Sequence, residues 1–124
     1  HRDLHLSIRR QRQMCIRDRV ERAALCLIKK AIENSGAREV HAHAEVFDGT
    51  VSPPGFAAVV LIDESHVSAH CYSDRGLLAI DAFTCGNTDP ATIITQLKQA
   101  LQVLCPTIVL MQEKSVDRFL PPEA

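Results

Sequence analysis

The chain has no tryptophan, one tyrosine and four phenylalanines in 124 residues. A core built with so few large rings must be mostly aliphatic. The chain also lacks an excess of either charge. Its 14 Lys and Arg stand against 15 Asp and Glu, for a net charge of −1. A nucleic-acid binder usually carries a basic face, so this balance gives no support for such a partner. Long apolar runs are missing too: the longest, GFAAVVLI at 55–62, is far shorter than the roughly 20 residues that cross a bilayer. No membrane role is expected. The five cysteines form no CxxC pair, their number is odd, and no secretory signal opens the chain. Free thiols in a reducing, cytoplasmic setting are therefore expected, with no disulfide framework.

What is present begins poorly and becomes orderly. Residues 1–19, HRDLHLSIRRQRQMCIRDR, are Arg-rich and show no apolar periodicity beyond LHLSI. They read as a basic disordered tail. MCIRDR is also what a sequencing-transposon end encodes in one frame, which marks the segment as non-native and sets it outside the fold. The domain is expected over 20–124. VERAALCLIKKAIENSG places Ala24, Leu25, Ile28, Ala31 and Ile32 on one helical face, with Gly36 as its stop. REVHAHAEVF alternates like a half-buried strand, and DGTVSPPG is a loop. FAAVVLI reads as a central strand; HVSAHCY and LLAIDAFTC follow it, joined by a hairpin turn at SDRG. Asp89 and Pro90 then open a second helix with Ile93, Ile94, Leu97, Ala100 and Leu101 on its apolar stripe. TIVLMQ is a last strand before a polar tail. The fold class expected is α+β: a mostly antiparallel sheet with two helices on one face, a two-layer sandwich.

The chemistry concentrates in residues 64–86, ESHVSAHCYSDRGLLAIDAFTCG. A Ser-His-Asp hydrolase presents its serine on a sharp turn, typically G-x-S-x-G, and DESHV lacks those glycines. Zinc needs three or four ligands. His41 and His43 share one side of a strand, as do His66 and His70, but neither pair has an evident third ligand. No metal is expected. Taken singly, Ser65 is an ordinary turn residue, His70 a sheet histidine and Cys85 a small core residue.

Taken together, DESHVSAHCYSDRGLLAIDAFTCGNTDP resembles the core of the small prokaryotic S-adenosylmethionine decarboxylases. These are pyruvoyl-dependent enzymes of spermidine synthesis, made as self-cleaving proenzymes. Glu-Ser-His, a histidine five residues after the serine, and Phe-Thr-Cys-Gly occur here in the family's order. The resemblance implies cleavage between Glu64 and Ser65, leaving a pyruvoyl cofactor made from Ser65. It implies a Schiff base between that group and the substrate amine. His70 is then the base of the elimination step and Cys85 the acid that returns a proton to the substrate. Asp74 stands where the family holds the ribose hydroxyls, and Phe47, Phe56 or Tyr72 is left to stack on adenine.

The chain departs from the pattern at several positions. Cys71-Tyr72-Ser73-Asp74 replaces the family's Thr-Trp-Pro-Glu, and Ala57 stands where many members carry a serine that assists processing. These are mostly pocket positions. A pyruvoyl-dependent arginine or ornithine decarboxylase is therefore the alternative, and a non-catalytic paralogue that regulates a partner enzyme is a third reading. FAAVVLI is apolar on both faces while two helices cover only one. A homodimer of processed protomers, with Ser65 and His70 near its interface, is expected.

Overall fold

The computed structural model describes residues 2–10, 21–85 and 88–118. Six strands form one sheet: β1 (Arg2–Arg10), β2 (His41–Phe47), β3 (Gly55–Ile62), β4 (Ser65–Tyr72), β5 (Leu77–Thr84) and β6 (Ile108–Asp117). Helix α1 (Glu21–Ser35) follows β1, and α2 (Pro90–Leu104) follows β5. The strand order is β2-β3-β4-β5-β1-β6, and every pairing is antiparallel. Both helices pack on one face, so the two-layer α+β sandwich expected from the pattern is what forms. No described helix is long and apolar enough to cross a membrane.

The helices form where their signals stand. In α1, Ala24, Ile28, Ala31 and Ile32 are buried, and Gly36 ends the helix at φ +83°. In α2, the Asp89 side chain accepts a hydrogen bond from the Ala91 amide at 3.0 Å, and Pro90 occupies the first turn. Ile93, Ile94, Leu97 and Leu101 face the sheet, fully buried. They meet alternate residues of the central strands: Phe56, Ala58, Val60 and Ile62 of β3, Val67, Ala69 and Cys71 of β4, and Leu78, Ile80 and Ala82 of β5. Each Ile or Leu fully buried here contributes about 1.5–3 kcal/mol. The other face of the same strands carries Ala57, Val59 and Leu61, which no helix covers.

Four expectations are corrected. Arg2–Arg10 does not lie outside the fold; it is β1, seated between β5 and β6. The LHLSI alternation explains this, since the register sets Leu4, Leu6 and Ile8 opposite Ala82, Ile80 and Leu78, the core-facing residues of β5. The rest of that segment, 11–19, lies outside the described residues. Strand β2 is not half-buried: all but Ala42 of it is exposed, because it is the sheet's edge and the helices reach little past β3. Strand β6 runs five residues beyond TIVLMQ, into what had read as tail, because β1 offers it a full-length partner. Finally, Cys105 is buried and disulfide-bonded, while Cys26, Cys71 and Cys85 form no disulfide. An odd count limits how many thiols can pair, not whether one pair forms.

Gly55 opens β3 with φ +149°, and a Cβ there would lie 1.9 Å from the carbonyl oxygen of Cys71. Backbone of a neighbouring strand cannot yield that much. Gly55→Ala is expected to cost more than about 2 kcal/mol, read as a lowered melting temperature against the parent chain.

Candidate active site

The turn between β3 and β4 is the shortest a hairpin allows. Ile62 pairs with Ser65, leaving Asp63 and Glu64 as the two loop residues. Such turns demand a positive φ, and Asp63 supplies it at +52°. Aspartate is one of the few non-glycine residues that tolerate this region. Both loop residues are exposed, while Ser65 immediately after them is 6% exposed. The Glu64–Ser65 peptide bond therefore stands where a solvated turn enters a buried strand.

Ser65 and Cys85 are brought together. His66 pairs with Phe83, so Cys85, just past the end of β5, comes alongside the start of β4. The Cys85 backbone amide donates a hydrogen bond to Ser65 Oγ at 2.7 Å. This fixes the hydroxyl oxygen on the helix-facing side, and Cys85 itself is half-buried. Gly86, the last residue of the Phe-Thr-Cys-Gly match, lies outside the described residues.

His70 is not brought to Ser65. They stand five positions apart on one strand, a span of about 16 Å. An odd separation also puts them on opposite faces. His70 is exposed on the open face, paired directly with Ala57 of β3 and Ala79 of β5. The two positions that the resemblance links to processing, 57 and 70, are thus cross-strand neighbours. Asp74 is further still, exposed in the β4–β5 turn at the opposite end of β4.

The aromatic candidates divide by face. Phe56 is 3% exposed and shares the core cluster with Ala69, Leu78, Ile80, Leu97 and Leu101. It belongs to the core and cannot stack on a ligand at the open face, because even-numbered residues of β3 point to the helices. Phe47 and Tyr72 lie partly exposed on the same cross-strand row, on either side of Gly55. Near Ser65, the sequence reading missed a second group. His66 lies against Phe83 with ring centroids 5.6 Å apart, and the Arg118 guanidinium sits 5.2 Å from the Phe83 centroid. Strand parity could have paired His66 with Phe83; nothing in the sequence linked Arg118 to them. His43 is exposed and hydrogen-bonds Glu45 across 2.8 Å. Among the described residues, no three His, Cys, Asp or Glu cluster as a metal site.

These placements predict opposite responses to truncation. Phe56→Ala is expected to destabilise the fold by about 3–5 kcal/mol. Tyr72→Ala is expected to stay within about 0.5 kcal/mol. Denaturant midpoints of the two variants check this.

Comparison with known proteins follows the same residues. The family model described as S-adenosylmethionine decarboxylase matches residues 15–112. A protein of Brevibacillus brevis named S-adenosylmethionine decarboxylase proenzyme is 40% identical over 74 residues, covering 59% of this chain and 53% of that protein. A Thermotoga petrophila protein of the same name is 35% identical over 97 residues, covering 77% of this chain and 72% of its own length. The matched segments thus span about half of some relatives and more of others. The crystal structure of an adenosylmethionine decarboxylase from Aquifex aeolicus superposes with a TM-score of 0.68 at 22% identity, over 99% of this chain and 94% of that one, which shows a shared fold. With the family model matching most of its length and the two-layer fold shared as well, the chain belongs to the S-adenosylmethionine decarboxylase family.

Proposed function

We propose that this chain is a self-processing, pyruvoyl-dependent S-adenosylmethionine decarboxylase that supplies the aminopropyl donor for spermidine synthesis. The observation that carries the reading is the Ser65 hydroxyl, held by the Cys85 amide at 2.7 Å beside the bond to be cut. Fixing the nucleophile next to its target carbonyl is the entropic part of such a reaction. Ser65 Oγ attacks the Glu64 carbonyl carbon; the C–O bond forms as the C–N bond breaks, and the hydroxyl proton passes to the freed amine. A base then removes the Ser65 α-proton, the Cβ–Oγ bond breaks, and Glu64 leaves as a carboxylate. Water finally replaces the nitrogen, which departs as ammonia.

The residues present fit a pyruvoyl group at position 65: a buried site, a backbone N–H already aimed at the side chain, and a half-buried thiol residue alongside. Such a carbonyl supplies an electron sink for loss of CO₂. Cys85, whose amide reaches Ser65, is assigned the acid that holds and returns a proton there, the role the family likeness implies. His70 stands about 16 Å along the strand and on the other face, so its assigned role as the base acting on Ser65 requires a second copy of the chain. The uncovered face, with Ala57, Val59, Leu61, His70 and Tyr72, supports a homodimer that carries His70 and Ala57 of one protomer to Ser65 of the other. Tyr72, Phe47 and Asp74, at the far end of that face, belong to the substrate pocket in this arrangement.

Intact-mass analysis is expected to show two fragments, the C-terminal one blocked to Edman sequencing, with Ser65→Ala remaining full length. Co-expression separates the dimer model from action within one chain. His70→Ala alone is expected to stall as a hydroxylamine-labile ester. Paired with Ser65→Ala, whose His70 is intact, it is expected to cleave. Failure of that mixed dimer to cleave would remove the shared site. CO₂ release from labelled S-adenosylmethionine, arginine and ornithine checks the substrate, and turnover of arginine or ornithine alone would overturn the assignment.

A further inference from the structure

Asp63, the residue before Glu64, is gripped from outside the hairpin. Arg38, in the α1–β2 connection, donates to Asp63 Oδ1 from Nε at 3.1 Å and again from a terminal guanidinium nitrogen. Two donors of one planar group on one carboxylate oxygen fix direction as well as distance. The connection carrying Arg38 is itself tied down, because the Val40 amide donates to the Leu61 carbonyl at 2.8 Å. The grip therefore closes a small frame around the turn: Arg38 to Asp63, then Leu61 back to Val40.

We infer that Arg38 is a positioning residue for self-cleavage, acting through Asp63 to hold the turn in the geometry that presents the Glu64 carbonyl to Ser65. The inference rests on the proposed self-processing. The turn sets Asp63 at φ +52°, a less favoured region for any side-chain-bearing residue, which the Arg38 grip helps to hold. If the turn relaxes, the Ile62–Ser65 pairing loosens, and with it the relation of Ser65 Oγ to the carbonyl it attacks. The other end of the scissile bond is held by the Cys85 amide on Ser65, so Asp63 anchors the turn from its near side. The pair is exposed, with side-chain exposures of 77% and 53%, which limits its effect to a modest one.

The test is the rate at which newly made chain converts to two fragments, followed by intact mass beside the melting temperature. Arg38→Ala is expected to slow cleavage roughly threefold to fivefold, the size an exposed ion pair can supply. Its melting temperature should change little, which a merely structural role would not predict. Arg38→Lys, keeping the charge but not the fork, should recover part of the rate. Asp63→Asn tolerates the same φ without the charge and should be slowed like Arg38→Ala. The double variant should be no slower than either single one, as residues acting through one contact require. Cleavage of Arg38→Ala at the parent rate, or a double variant slowed by the product of the two effects, would overturn the inference. A parent chain that never cleaves would overturn the self-processing reading instead.

Discussion

Ile62 pairs with Ser65 across a two-residue turn, and this pairing decides on which face every residue of β4 stands. A strand alternates with period two, so a slip of one residue would send Val67, Ala69 and Cys71 to water and His66, His70 and Tyr72 into the core. The buried aliphatic set on one side and the polar set on the other hold the register firmly. The placement of Ser65 depends on it most. Only in this register does Ser65 end up buried, opposite the end of β5, with the Cys85 amide on its oxygen.

The same constraint divides the sheet's work. One face is sealed by α1 and α2 with small and branched side chains, which suits a chain with so few aromatic residues. A groove of about 600 Å³ between the outer sides of the helices is lined by residues such as Leu27, Ala31, Gln96 and Val103 and includes neither Ser65, His70 nor Cys85. The other face carries histidines, aromatic rings and uncovered aliphatic residues. The buried core thus occupies one face and the exposed polar and aromatic candidates the other, with Ser65 at the end of β4.

The order of the candidate residues was legible in the sequence. Glu64-Ser65-His66, His70 and Cys85 are covalent facts, and their spacing carried the family likeness. The helices were equally legible, because the Asp89-Pro90 start, the Gly36 stop and the apolar stripes are local signals acting within a few residues. Even the separation of Ser65 from His70 could be read, since five residues of strand is an odd number. Phe56 could likewise have been assigned to the core from its parity with Ala58 and Val60.

Other features arise only from contacts between segments distant in sequence. Insertion of β1 between β5 and β6 joins residues 2–10 to 77–84 and 108–117; no local pattern states such a pairing, and the Arg-rich composition concealed the Leu4-Leu6-Ile8 alternation. The exposure of β2 depends on how far the helices extend over the sheet, which its own alternation cannot report. Arg38 and Asp63 are 25 positions apart, and Arg118 reaches Phe83 across an intervening strand. Local chemistry and short-range periodicity are written along the chain. Which strands become neighbours, and which face stays open, is decided by how the whole chain buries its apolar surface.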